Sequence, residues 1–191
     1  MKLMLIRHAV TDWNIERRMQ GQTDVPINEE GRAQAERLRP IIAHLAPQWV
    51  VTSGLQRTIQ TAEAAHLHID KVDPRLNEFD LGEWEGQLIA DLDPKEYEGW
   101  SLGEFNPPGG ERMDAFFFRV NQAIFEVMTH ARANDIEMAC VVAHGGVIRR
   151  YLARGLGLDL SKMVNPRHAG VSVLDVQESG MRLEMYNYTG F

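Results

Sequence analysis

The sequence predicts an α/β fold, a three-layer α/β/α sandwich with a mainly parallel sheet and an antiparallel C-terminal element. Three observations predict it. Short apolar runs near residues 3–6, 49–53 and 138–143 alternate with stretches of helical period, the order expected of parallel strands joined by helices. The first of those runs ends in Arg7-His8 and the third directly in His144, as strands do when they end at a site. Lastly, Val171–Val176 and Met181–Tyr186 alternate around Glu178-Ser179-Gly180, which reads as a hairpin. A chain of 191 residues that is 44% hydrophobic suits one domain spanning 1–191, large enough to bury roughly two-thirds of its unfolded surface.

In chain order, the first apolar run ends in Arg7-His8, and residues 15–28 are polar, carry Gly21 and Pro26, and read as a loop able to fold over a site. Asn28 is placed to cap a helix whose apolar positions are Leu38, Ile41, Ile42 and Leu45, and Pro40 should kink or divide it. Residues 49–53 form a strand, Ser53-Gly54 a tight turn, and residues 55–67 a helix with Arg57 in its first turn. A cation there opposes the helix dipole unless an anion lies close by. A short strand near Ile69–Val72 leads to a structured loop over residues 76–86. Residues 88–110 carry Pro94, Pro107, Pro108, Gly109 and Gly110 and read as a lid or as short helices. From about 112 to 132 Phe116, Phe117, Val120, Ile124, Val127 and Met128 share one helix face, an ordinary core stripe. After the strand at 138–143, Gly145-Gly146 opens a helix to about Arg154, whose free N–H groups suit an anion.

Charge and cysteine content narrow the function. A net charge of −7, from 27 acidic and 20 basic residues, argues against nucleic acid or an anionic membrane as a partner, so any phosphate must find a local basic pocket. One cysteine, Cys140 in an apolar run, excludes an internal disulfide framework and reads as an inert buried thiol. Lys2 leads straight into a strand too short for a signal sequence, and no apolar stretch approaches the roughly 20 residues of a membrane helix. A cytoplasmic enzyme is the expectation. Oligomeric state is left open, with a homodimer among the options.

The two strand-end histidines meet if their strands are neighbours in a parallel sheet, which would gather Arg7, His8 and His144 in one crevice with Arg57 on its rim. Guanidinium forks match the oxygens of a monophosphate dianion. A neutral His8 nitrogen could attack phosphorus in line, and Glu78 is the candidate to protonate the leaving oxygen and later deprotonate water. A metal reading of His8, His144 and Glu78 as two histidines and a carboxylate is disfavoured by Arg7 and Arg57, which would repel a divalent cation. His44, His66 and His68 read as surface or packing residues. Lys162, Arg167 and His168 stay outside the predicted site, because polar residues gather at strand and loop ends anyway.

These residues sit in a wider pattern. LIRHAVTDWN, RRMQGQTDVPIN with EGRAQA, SGLQRTIQTAE, DPRLNEFDLGEWEG, PGGE and VVAHGGVIR occur in that order over most of the chain. In them the sequence resembles the histidine phosphatase superfamily, the branch with cofactor-dependent phosphoglycerate mutase, fructose-2,6-bisphosphatase and α-ribazole phosphatase. The resemblance implies that His8 is phosphorylated, that Arg7, Arg57 and His144 hold the phosphoryl group, and that Glu78 donates the proton. It also implies that Asn14, Gln20 and Gly21 contribute to the substrate pocket and that neither metal nor cofactor is used. The chain departs from the pattern at Ala9, where glycine is usual, at Val10, at Gly54 and at Arg112, the last read as a surface ion pair.

Within that resemblance, the mutases carry a longer, arginine-rich insertion after the glutamate loop, whereas here Lys95 is the only basic residue of 88–110. Hydrolysis of a small soluble phosphorylated metabolite, without metal, is therefore the expected reaction. The alternatives are mutase-type phosphoryl transfer and a phosphate-binding module without turnover.

Overall fold

The computed structural model describes residues 1–190. Strand β1 (Lys2–Arg7) is followed by a single helical turn, α1 (Asp12–Ile15), and then by α2 (Glu29–Glu36) and α3 (Arg39–Leu45). Strand β2 (Trp49–Thr52), α4 (Gln56–Ala64) and the two-residue β3 (Lys71–Val72) come next. After α5 (Pro94–Leu102) and the long α6 (Met113–Ala133) the chain forms β4 (Met138–Ala143), α7 (Gly145–Leu156), β5 (Val171–Gln177) and β6 (Gly180–Tyr188). The six strands make one sheet in the order β3-β2-β4-β1-β5-β6. β1 lies parallel to β4, with Leu5 opposite Val141, and antiparallel to β5, with Leu5 opposite Ser172. The predicted α/β sandwich, its mainly parallel sheet and its antiparallel end are all present.

Strand periodicity sorts the core. Leu3 and Leu5 face a cluster shared with Phe116, Val120 and Ile124 of α6 and Val147 and Ile148 of α7, while Met4 and Ile6 face a cluster with Leu38, Ile42 and Ala62 on the opposite side. β4 divides in the same way, Ala139, Val141 and Ala143 against Met138, Cys140 and Val142. Strands with both faces buried are the mark of a sheet covered by helices on each side. Cys140 is fully buried, and burial pushes its thiol up, away from the reactive thiolate.

Local chemistry sets the element ends. Asn28 Oδ1 accepts the Gly31 N–H and caps α2, and Pro40 falls at the start of α3, so the helix expected to kink or divide at Pro40 is divided in two. Residues 16–28 form the expected loop, preceded by a helical turn not foreseen in the sequence. Thr11 and Asn14 form a reciprocal capping box that creates α1. The helix expected over 55–67 closes at Ala64, and the strand expected from Ile69 is only Lys71–Val72. Within 88–110 the regular element is α5, capped by Asp93 and held down by α7: Arg150 donates from Nη2 to the Trp100 carbonyl at 2.6 Å and lies over the Trp100 ring at 4.8 Å, and Arg149 reaches the Ser101 carbonyl. Arg112 makes an exposed ion pair with Asp114, as expected. No helix of the described residues is long and apolar enough to cross a membrane.

Candidate active site

Parallel pairing of β1 with β4 aligns Arg7 with Ala143, so the residues just beyond the two strands share one crevice. The His8 and His144 rings lie 5.3 Å apart between centroids. His8 Nδ1 is 2.8 Å from its neighbour's carbonyl, Ala9 O, which can only accept. The ring proton therefore resides on Nδ1, and the Nε2 lone pair is free. Burial, reinforced by Arg57, His144, Arg7 and His168 in that order, holds His8 well below the ordinary imidazole pKa of 6.5. The imidazole is neutral at neutral pH.

His144 caps α7 by its backbone, and both of its ring nitrogens are engaged. Nδ1 accepts from Arg57 Nε at 3.3 Å, so Nε2 carries the proton and donates to Ser53 Oγ at 2.8 Å. Ser53 passes the chain on to Thr58 Oγ1 at 2.9 Å, and Thr58 donates to the Leu55 carbonyl. Burial, then Arg57, Arg7 and Arg119, keep this imidazole below its ordinary pKa too. In this geometry His144 acts first on Arg57, and a phosphoryl oxygen would have to displace one of these partners to bond it.

Arg57 is 1% exposed and fully committed in direction: Nη1 donates to the Thr23 carbonyl at 2.9 Å and Nη2 to the Gly21 carbonyl at 2.7 Å. Each Nη keeps its second hydrogen. Arg7 donates from Nη1 to the Pro166 carbonyl at 2.6 Å, while its Nε is buried with no partner. The Nε–Nη2 edge of that guanidinium is thus an open fork, the shape that grips two oxygens of an oxyanion. Burial lowers both arginines to about 10 against the opposing charge of Glu78, which leaves them cationic at neutral pH.

Glu78 sits across the crevice. Its Oε2 accepts the Gly146 N–H in the first turn of α7 and its Oε1 accepts the Phe79 N–H, each at 2.9 Å. A Cβ at 146 would lie 2.4 Å from Oε1, so a side chain there would push the Glu78 carboxylate from this position. At Gly145 a Cβ would press on the Arg7 guanidinium at 3.1 Å. The Gly-Gly pair is therefore where the helix start meets both the fork and the acid.

The structure gathers Arg7, His8, Arg57, Glu78 and His144. The three pocket residues differ among themselves. Gly21 acts through its backbone: its φ is +51°, its carbonyl orients Arg57, and a side chain would strike Glu85. Gln20 is buried with Oε1 unpartnered, an acceptor waiting for a donor. Asn14 spends its carbonyl oxygen on Thr11 in the capping box, so only its amide Nδ2 is left to meet a ligand.

Ala9, the first departure from the family pattern, is accommodated. It avoids the left-handed region, its methyl is buried in the core on the α2–α4 side, and its N–H donates to Thr61 Oγ1 at 2.9 Å. Val10 is buried too, its N–H held by Gln34 and its carbonyl by Asn28.

One residue that sequence reasoning set aside belongs here. His168, in the turn before β5, places its ring 5.8 Å from that of His8 and buries an unpartnered Nε2. Burial and Arg7 push it down to about 3, so it too is neutral. Ser53, Thr58 and Thr61 were also missed, being short hydroxyl residues that the helix and turn pattern already explained. His44, His66 and His68 are exposed, and the described residues hold no group of three or more histidine, cysteine and carboxylate side chains suited to a metal.

The chain is similar to proteins of known sequence and known fold. The sequence is 32% identical over 190 residues to the probable phosphoglycerate mutase GpmB of Enterobacter sp. (strain 638), covering 94% of this chain and 86% of that one. The fold superposes on the mycobacterial glucosyl-3-phosphoglycerate phosphatase Rv2419c, solved with VO3, with a TM-score of 0.84 at 30% identity over 97% of this chain and 98% of that one. It also matches the α-ribazole phosphatase of Shigella flexneri, with a TM-score of 0.83 at 26% identity over 100% and 98% of the two chains. The family model for the histidine phosphatase superfamily (branch 1) matches residues 3–189, and the chain belongs to that superfamily.

Proposed function

We propose that this protein is a metal-independent phosphomonoesterase that hydrolyses a small phosphorylated metabolite through a phosphohistidine on His8. The observation that carries the reading is the pairing of a neutral His8, its Nε2 free, with the unpartnered Nε edge of Arg7 beside it. A buried cation with an unmet donor next to a nucleophile calls for an anion.

The His8 Nε2 lone pair attacks phosphorus as the ester P–O bond breaks, and Glu78 passes its carboxyl proton to the leaving oxygen. Water then attacks the phosphohistidine, gives a proton to the Glu78 carboxylate, and restores neutral His8. Arg7 and Arg57 balance the charge on the transferring group, the task a divalent ion serves elsewhere. Gln20, with its free acceptor, and Asn14, with its free amide hydrogens, supply the polar groups for the alcohol half of the substrate in this reading.

A mutase reading is favoured by the name of the GpmB relative. Against it, the only cation in 88–110 is Lys95, which is exposed on α5, and the guanidiniums of Arg149 and Arg150 are turned to carbonyls of α5 and its neighbour Leu160. Purified protein in excess chelator should release inorganic phosphate steadily from monoesters, and acid-quenched turnover should leave label on the chain that His8→Ala abolishes. Loss of turnover in chelator, or label surviving in His8→Ala, would refute the reading. Transfer of label to a phosphoglycerate faster than to water would establish the mutase instead.

A further inference from the structure

We infer that Arg119 of α6 is a positioning residue for the proton donor, holding the loop that carries Glu78 at its working distance from His8; this rests on the reading of Glu78 as the acid. The loop from Asp73 to Phe79 is tied at its start by Asp73 Oδ1, which accepts the Arg75 N–H, and the Glu78 carbonyl takes a long contact from Gln22 Nε2 at 3.3 Å. Arg119 supplies the shorter bonds to its carbonyls. Its Nη1 donates to the Arg75 carbonyl at 2.8 Å and to the Asn77 carbonyl at 2.6 Å, and its Nη2 donates to the Glu78 carbonyl at 2.9 Å. One guanidinium thus gathers three carbonyls from four consecutive residues, ending on the acid itself.

The clamp is itself held. Glu111 takes Arg119 Nε at 2.6 Å and Nη2 at 2.7 Å in a bidentate pair, both side chains being less than one-fifth exposed. The same Glu111 reaches Asp80, just beyond the acid, through its N–H and a longer contact from Oε2. The Arg119 guanidinium also lies 4.9 Å over the Phe116 ring, one turn earlier on the helix. Asn77, adjacent to Glu78, spends its Oδ1 on the Gly54 N–H, tying the same loop to the turn that leads to Arg57. The planar fork explains the residue type: a lysine ammonium on a flexible stem cannot span three carbonyls and a carboxylate at fixed angles. Misplacing a reacting group by an ångström costs on the order of 10²-fold in rate.

Leaving-group dependence separates positioning from mere structural support. An alkoxide needs the proton of Glu78, while p-nitrophenolate departs without it, and kcat/KM reports only steps through transfer to His8. Arg119→Lys and Glu111→Gln, with Glu78→Gln as reference, are to be assayed on β-glycerophosphate and on p-nitrophenyl phosphate, with folding checked by circular dichroism. Both clamp variants should lose about 10²-fold on the alkyl ester and only a few-fold on the aryl ester, in the same sense as Glu78→Gln. Equal losses on both esters, or no loss, in Arg119→Lys and Glu111→Gln would overturn the inference while Glu78→Gln still shows the split. If Glu78→Gln shows no split, the acid assignment fails and the inference with it. Should Arg119→Lys not fold, Glu111→Gln alone decides.

Discussion

At the scale of single residues, the site is a set of tautomers and forks fixed by backbone carbonyls. Arg57 uses all three of its nitrogens at once, on His144, Thr23 and Gly21. A lysine at 57 would keep the charge and lose the geometry. Arg57→Lys should lower kcat/KM on the order of 10²-fold in steady-state assays, about 3 kcal/mol of transition-state stabilisation. The sequence made Arg7, His8, Arg57, Glu78 and His144 legible because each sits at a strand end, a helix start or a glycine-rich turn. His168 was not legible: nothing in its spacing ties it to His8, and it arrives there only because β5 returns antiparallel along β1. Arg119 was hidden for another reason. It lies on a helix whose period is explained by core packing, and its partners are carbonyls, which no sequence displays.

At the scale of elements, the helices were readable from caps and prolines and the irregular loops were not. Asn28 shows why caps travel well from sequence to structure: one side-chain oxygen meets an otherwise unpaired N–H of α2, and the rule needs no tertiary partner. Asn28→Ala should cost about 1 kcal/mol of stability, read as a lower denaturation midpoint at unchanged slope. The turn α1 carries an equally local signal, Thr11-x-x-Asn14, just ahead of the stretch read as a loop. By contrast, α5 has its place set by Arg149 and Arg150 of α7, far along the chain, and composition alone could not separate lid from short helix. The mainly parallel order followed from alternation of strands and helices, while the short strand read near Ile69–Val72 is cut to the two residues of β3 that pair with β2.

At the scale of the whole molecule, the buried histidines link folding to pH. His8, His144 and His168 all have folded-state pKa values lowered below 6.5, so the unfolded chain binds more protons than the folded one once the pH drops below about 6.5. Their contribution is full above that pH and shrinks on acidification, by up to about 1.4 kcal/mol per pH unit for each. Asp73, lowered to about 2 chiefly by Arg75, adds a loss in a separate window, between about pH 4 and 2. Thermal midpoints measured from pH 7 to 4 should therefore fall steeply before carboxylates protonate, and His168→Asn should flatten that slope. An unchanged midpoint down to pH 5 would contradict the buried neutral state of the three rings.

The central place of β1 has a temporal consequence. In order of synthesis β1 precedes both of its sheet partners, β4 and β5, which lie at 138–143 and 171–177. Contacts of such long sequence separation close late. His8 at the end of β1 waits, with its neighbour Arg7, until β4 and β5 have been made and His168 arrives with them. Nascent chains that stop before the final hairpin should thus be synthesised with every predicted catalytic side chain and still lack a pocket, so that the appearance of turnover marks the docking of the last two strands.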